Sequence, residues 1–190
     1  MKTAKETLAH YVLDAKASRF TVQAFATGML SVMGHNPIIG IRTFSGEVDF
    51  NPATLQASGF LLTIKTASLS VQDDISDKDR REIERMMNEQ VLETAKYPEV
   101  IYQAPTIAIT RLGDSLYSAA LDGTLNLHGV LSRQPVTARI AVFGSMLRAS
   151  GEFMLSQAAY QIKPVSVAGG ALKLKDPVKF SFEMVAREQE

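Results

Sequence analysis

The sequence predicts a mainly β protein, an eight-stranded antiparallel barrel accompanied by one amphipathic helix at about 77–95. Three observations carry that expectation. Apolar and polar residues alternate with period two in about eight segments. Several intervening stretches are short enough to be hairpin turns. One window alone, "SDKDRREIERMMNEQVLETAKYP", exchanges that period for a helical one.

In chain order, 19–27 sets Phe20, Val22, Ala24 and Ala26 on one face, with Arg19, Thr21 and Gln23 on the other. The stretch 41–50 turns Phe44, Gly46, Val48 and Phe50 inward, and 59–71 places Phe60, Leu62 and Ile64 opposite Thr63 and Lys65. A fourth strand, near 99–110, has Val100 and Tyr102 inward. The fifth, 115–127, carries the row Tyr117, Ala119, Leu121, Gly123, Leu125 and Leu127. Segments 135–143 and 146–155 follow, with Val136, Ala138, Ile140 and Val142, then Leu147, Ala149, Gly151, Phe153 and Leu155. The last alternation contains Val178, Phe180, Phe182 and Met184.

The helical window brings Ile83, Met86, Met87 and Val91 to one face. Ser76 or Asp77 can cap its start and Pro98 prevents continuation, while Arg85 and Glu89 are spaced to pair on the solvent side. The acids Asp73 and Asp74 precede it and are read as serving its positive end. "RLGD" (111–114), "GSM" (144–146) and "NPATLQASG" (51–59) are the expected hairpin turns, and 28–40 and 156–176 the long irregular connections.

A chain of 190 residues suits one domain spanning 1–190, and no repeat or linker-like block divides it. The 20 Lys+Arg balance the 20 Asp+Glu, so the field that drives sequence-independent nucleic-acid binding is missing and no nucleic-acid partner is expected. With no cysteine there are no disulfides, thiolate metal sites or cysteine nucleophiles. No window reaches the roughly 20 apolar residues that span a bilayer, so a membrane-spanning helix is not expected. The N-terminal stretch lacks a secretory apolar core, and a cytoplasmic location is expected.

Eight strands enclose an interior that side chains can just fill, or that holds one small ligand when enough inward positions are small. Here the inward rows include Ala24, Ala26, Gly46, Ala119, Gly123, Ala138, Ala149 and Gly151. At about 3.3 Å per residue and a tilt near 40°, such strands build a barrel roughly 25–30 Å tall, suited to a chain-like ligand. Each methylene moved from water into it contributes about 0.8 kcal/mol, so an acyl or prenyl tail needs no binding motif. The same rows are compatible with an ordinary filled core.

Catalytic and metal motifs are missing. The three histidines, His10, His35 and His128, show no His-x-x-x-His spacing, and there is no Gly-x-Ser-x-Gly elbow or phosphate-cradling glycine loop. No catalytic residue, metal or cofactor is therefore expected. Within "GHNP" (34–37), His35 and Asn36 are candidates to touch a ligand headgroup at the barrel mouth. Lys173 and Lys175 can approach an anionic headgroup or simply form a solvated edge.

Taken in order, "YVLDAKASRFTVQAF", "GHNPIIGIRTFSGEVDFNP", the helix before "YPEVIY", "LDGTLNLHGV" and "VSVAGGALKLKDPVKFSFEMV" give a chain that resembles the YceI-like polyisoprenoid-binding proteins over roughly 11–187. That resemblance implies a lipocalin-like barrel closed beside a helix, usually a homodimer, with an isoprenoid or other long-chain amphiphile in the lumen. Where the family often has an acidic residue and a glycine around an aromatic, this chain has Ala159-Tyr160-Gln161. The segment before "YPEVIY" is a charged helix with two methionines rather than the shorter family pattern.

The expectation is thus a non-enzymatic barrel that binds, sequesters or transports a polyisoprenoid, an isoprenoid quinone or a fatty-acid-like lipid. Strand parity nominates Phe20, Val22, Phe44, Val48, Leu62, Tyr102, Leu121, Leu125, Ile140, Phe153, Phe180 and Phe182 as lumen contacts. Two alternatives stand beside it: an enzyme acting on such a lipid with His35 as acid or base, and a filled barrel serving as an interaction or stress-related module.

Overall fold

The computed structural model describes residues 8–27, 36–167 and 172–189. Its strands are β1 Ala9–Leu13, β2 Arg19–Gln23, β3 Ala26–Thr27, β4 Ile38–Ile41, β5 Phe44–Asn51, β6 Gln56–Lys65 and β7 Leu69–Val71. After the helix α1, Asp77–Met86, come β8 Glu99–Arg111, β9 Leu116–Leu127, β10 Val130–Phe143, β11 Met146–Ser156, β12 Ser166–Val167, β13 Leu172–Leu174 and β14 Pro177–Glu188. Antiparallel pairing in the order β1-β5-β6-β8-β9-β10-β11-β14 returns to β1 and closes an eight-stranded barrel.

The closure depends on a division of labour along β14. Its C-terminal half pairs with β1, Leu13 opposite Ala186, while its N-terminal half pairs with β2, Phe20 opposite Phe182. From β2 the sheet continues through β4 to β7. The wall is therefore a closed ring at one end and splays at the other.

Three expected strands are interrupted, and the interruptions coincide. Expected strand 19–27 breaks at Ala24-Phe25 and 41–50 extends back to Ile38 but breaks at Arg42-Thr43, while 59–71 is cut by a tight turn at Thr66–Ser68. The last two bends bind each other: the Ser68 hydroxyl accepts the Thr43 N–H at 3.0 Å, and Lys65 N–H reaches the Thr43 carbonyl at 3.0 Å. Strand β1 was not expected, and β10 begins at Val130 rather than 135.

Two bulges reset the alternation. Between Gln103 and Thr106 β8 carries one extra residue against β9, at Pro105, which cannot donate to a central ladder. Val100 and Tyr102 and then Ile107 and Ile109 consequently all line the interior. Between β5 and β6 the extra residue lies near Gly59, whose positive φ of 69° a side chain would strain.

The helix forms where its caps allow. Ser76 accepts the Asp79 N–H at 3.1 Å. Asp73 does not serve the helix end as read from sequence, because its carboxylate accepts the Ile38 N–H at 2.9 Å and ties the two rim segments together. After Met86 the helix widens into a π turn, Met87–Val91. There the Asn88 side-chain amide donates to the Glu84 carbonyl at 2.7 Å, taking the acceptor that an α-helix would offer the Asn88 N–H. The π turn ends the regular helix short of the expected residue 95. Arg85 pairs with Glu89 at 2.6 Å as spaced, and also with Glu82 at 2.8 Å. Among the described residues no helix is long and apolar enough to cross a membrane.

Candidate binding cavity

The inward rows leave a cavity of about 580 Å³. Its walls are almost wholly apolar, and its splayed end is roofed by Ile83, Met86 and Met87 of the helix with Val91 and Leu92 beyond it. At the other end Phe50 and Tyr117 meet edge to face, 5.7 Å between ring centres, and both are buried. This aromatic floor leaves the opening to the helix end.

Phe20, Val22, Val48, Leu62, Tyr102, Leu121, Leu125, Ile140, Phe153, Phe180 and Phe182 all line this space. Phe44 does not. It is buried behind Phe20, with ring centres 4.6 Å apart, so the Phe20 ring stands between it and the cavity. The bends on either side of the 44–51 strand explain this: parity gives the side a residue faces, whereas depth depends on the neighbouring ring.

The small inward residues divide into two groups. Ala24, Ala26, Ala119, Ala138 and Ala149 do line the cavity. Gly46, Gly123 and Gly151, expected to add room, do not: the Leu61 carbonyl stands 2.9 Å from where a Cβ on Gly46 would lie, and aromatic rings cover the other two. A Cβ on Gly123 would lie 2.3 Å from the Tyr102 hydroxyl, and one on Gly151 2.6 Å from Phe182 Cζ.

Tyr102 brings a polar group into the wall, where it is buried. Its hydroxyl donates to the Gln134 carbonyl at 3.0 Å, and burial, with the nearby Asp122 charge, pushes its ionisation up to about 12. It therefore stays neutral, and its proton is engaged with the wall.

Besides Tyr102 and the buried Thr66, the polar lining is Asp73, Gln157 and Lys173, gathered at the open end. The Asp73 carboxylate is held by Ile38, and the Gln157 amide donates to the Asp176 carbonyl at 2.8 Å. Lys173 is exposed and has no ion-pair partner among the described residues. Sequence reading missed Asp73 and Gln157 as lining residues because they lie in connections with no periodicity. The signal for Met86 and Met87 was present in the helical face.

His35 lies outside the described residues. Asn36 is exposed and off the cavity wall, where its side-chain carbonyl accepts the Ala26 N–H at 2.9 Å and pins the rim. His10 is engaged by Asp49 at 2.9 Å on the outer face, and His128 by Glu93 at 2.8 Å beside the Tyr97 ring. Among the described residues no three His, Cys, Asp or Glu side chains are grouped to hold a metal.

A family model described as the YceI-like domain matches residues 11–186. The chain belongs to the YceI-like family. Three solved structures have a similar fold to this YceI-like chain. Burkholderia cenocepacia BcnA is 19% identical with a TM-score of 0.69, covering 91% of this chain and 98% of its own. A polyisoprenoid binding domain from Saccharophagus degradans, implicated in plant cell wall breakdown, is 17% identical with a TM-score of 0.65, covering 96% and 99%. The Campylobacter jejuni YCEI protein is also 17% identical, with a TM-score of 0.61 over 80% of this chain and 85% of its own. A search among curated proteins finds no significant match.

Proposed function

We propose that this YceI-like barrel binds a long-chain amphiphilic lipid, such as a polyisoprenoid, an isoprenoid quinone or a fatty-acid-like molecule, and sequesters or carries it unchanged. The observation that carries the reading is the cavity: about 580 Å³, almost wholly apolar along its length, with its charged lining residues, Asp73 and Lys173, at one end. That volume falls within the range of about 300–1,000 Å³ typical of small-molecule sites. At roughly 0.8 kcal/mol per buried methylene, a tail of ten or so carbons offsets the cost of immobilising it without any hydrogen bond. The tail runs toward the Phe50–Tyr117 floor, along the residues nominated by parity. The headgroup stays at the helix end, beside Lys173. A homodimer is part of this reading and rests on the family resemblance.

Native mass spectrometry of the purified protein, followed by organic extraction and re-addition of lipid, tests it. A mass increment matching an extractable prenyl or acyl lipid is the expected result. A uniform apo mass with no uptake would favour the filled-barrel alternative. A bound lipid that changes chemically with time would favour the enzyme.

A further inference from the structure

Gly123 occupies the middle of β9, in a row otherwise built from tyrosine, alanine and leucine, where glycine weakens a strand and signals a close approach. The approach is made by one side chain. A Cβ there would meet Tyr102 at three atoms, Oη at 2.3 Å, Cζ at 2.4 Å and Cε2 at 2.7 Å, all at the far end of that ring. The ring lies flat against the wall, crossing from β8 over β9, and its hydroxyl is anchored to Gln134 on β10.

Gly151 makes a useful contrast. There a Cβ would meet Phe182 and also the Thr137 carbonyl at 2.7 Å, so any side chain collides with backbone and the glycine is required by the wall itself. At Gly123 only the end of a side chain stands in the way. That ring has one direction of retreat, off the wall and into the lumen it already lines.

We propose that Tyr102, recessed over Gly123, is a specificity-determining residue that sets how large a tail the lumen accepts. The proposal rests on the reading of the lumen as a lipid-tail site. Recessed, the ring leaves the bore open and presents a hydrocarbon edge, with its donor directed to the wall. Displaced, it occupies space needed by a long tail while leaving room for a short one.

The test compares geranylgeraniol with geraniol, two prenyl alcohols with the same headgroup and different tails, by displacement of anilinonaphthalene sulfonate from the intact chain. Gly123→Ala is expected to weaken geranylgeraniol about tenfold, the equivalent of about two lost methylenes, and geraniol less than about twofold. Adding Tyr102→Ala to Gly123→Ala should restore geranylgeraniol binding. Equal affinity of Gly123→Ala and wild type for geranylgeraniol, a parallel loss for both alcohols, or no restoration in the double variant would each overturn the proposal.

If Gly123→Ala does not fold, Tyr102→Trp enlarges the ring over an unaltered β9 and must give the same split between the two alcohols. Its absence overturns the proposal. The chain contains no other tryptophan, so that variant also reports from the lumen by fluorescence. Wild-type protein that takes up neither alcohol would overturn the lipid reading and this proposal with it. Wild-type uptake with no split in the variants would overturn this proposal alone.

Discussion

Strands β8 to β11 are each a single strand of 11 to 14 residues, with one bulge in β8, whereas the facing wall comes in pieces, β1 with β2, β4 with β5 and β6 with β7. The long strands are joined by tight hairpins, and β9, β10 and β11 each carry a cavity-lining alanine, Ala119, Ala138 and Ala149. The broken wall bends outward, and its bends create the splayed end that the helix roofs. One side thus supplies the bore and the other the entrance. Continuity of hydrogen bonding, rather than composition, separates them, since both sides bury aromatic residues.

The contrast can be tested by perturbing the broken wall in decreasing order of effect. Phe20→Ala removes a ring that is 1% exposed and packed between Phe44 at 4.6 Å and Phe180 at 5.9 Å. It should cost about 3–5 kcal/mol in urea unfolding. A cost below about 1 kcal/mol would mean that this wall is slack enough to collapse around the hole.

Glu84→Ala deletes the carboxylate that accepts the Val71 N–H at 3.0 Å, with an expected cost of about 1–2 kcal/mol. Hydrogen exchange should accelerate at Val71 and its neighbours and remain unchanged along β9. Acceleration in both places would show that the two walls open together.

Ser76→Ala removes the helix cap and should cost about 1 kcal/mol, read as a lower Tm, while the prenyl-alcohol preference is kept.

The smallest effect is at Asp14, in the turn between β1 and β2. The side-chain bond from Arg187 holds its carboxyl below the ordinary value of 3.8, helped by the Ala17 and Lys16 N–H groups. A depressed folded-state value stabilises above the unfolded one and is lost as pH falls through the folded one. Asp14→Asn should therefore lower Tm slightly above about pH 4, with the two Tm curves converging in stronger acid. Curves that stay apart in strong acid would mean that Asp14 acts through its turn geometry rather than its charge.

The continuous wall was legible in the sequence almost strand for strand, because period two survives wherever both neighbours pair along the full length. The helix was legible too, with its cap and its apolar face. The breaks at Ala24-Phe25 and Arg42-Thr43 were not, since they are held by partners far along the chain, Pro37 for Ala24 and Ser68 for Thr43. Parity failed at β8 past Gln103, where Pro105 was the available sign of a bulge. The inward glycines were the subtlest point. Alternation reveals which side Gly123 faces, but only the packed structure reveals that Tyr102 already lies over it.

The outer margin of β7 has a consequence beyond closing the roof. Its last residue, Val71, offers its N–H to Glu84, and its carbonyl accepts from Arg80, so helix side chains stand where another strand would dock. The open margin of a sheet is a template for fibril growth or strand exchange between molecules, and here it is masked by two charged residues of the same chain. A change that unseats α1 would uncover that margin together with the apolar lumen. Loss of the helix should therefore appear first as aggregation, ahead of any measurable loss of barrel structure.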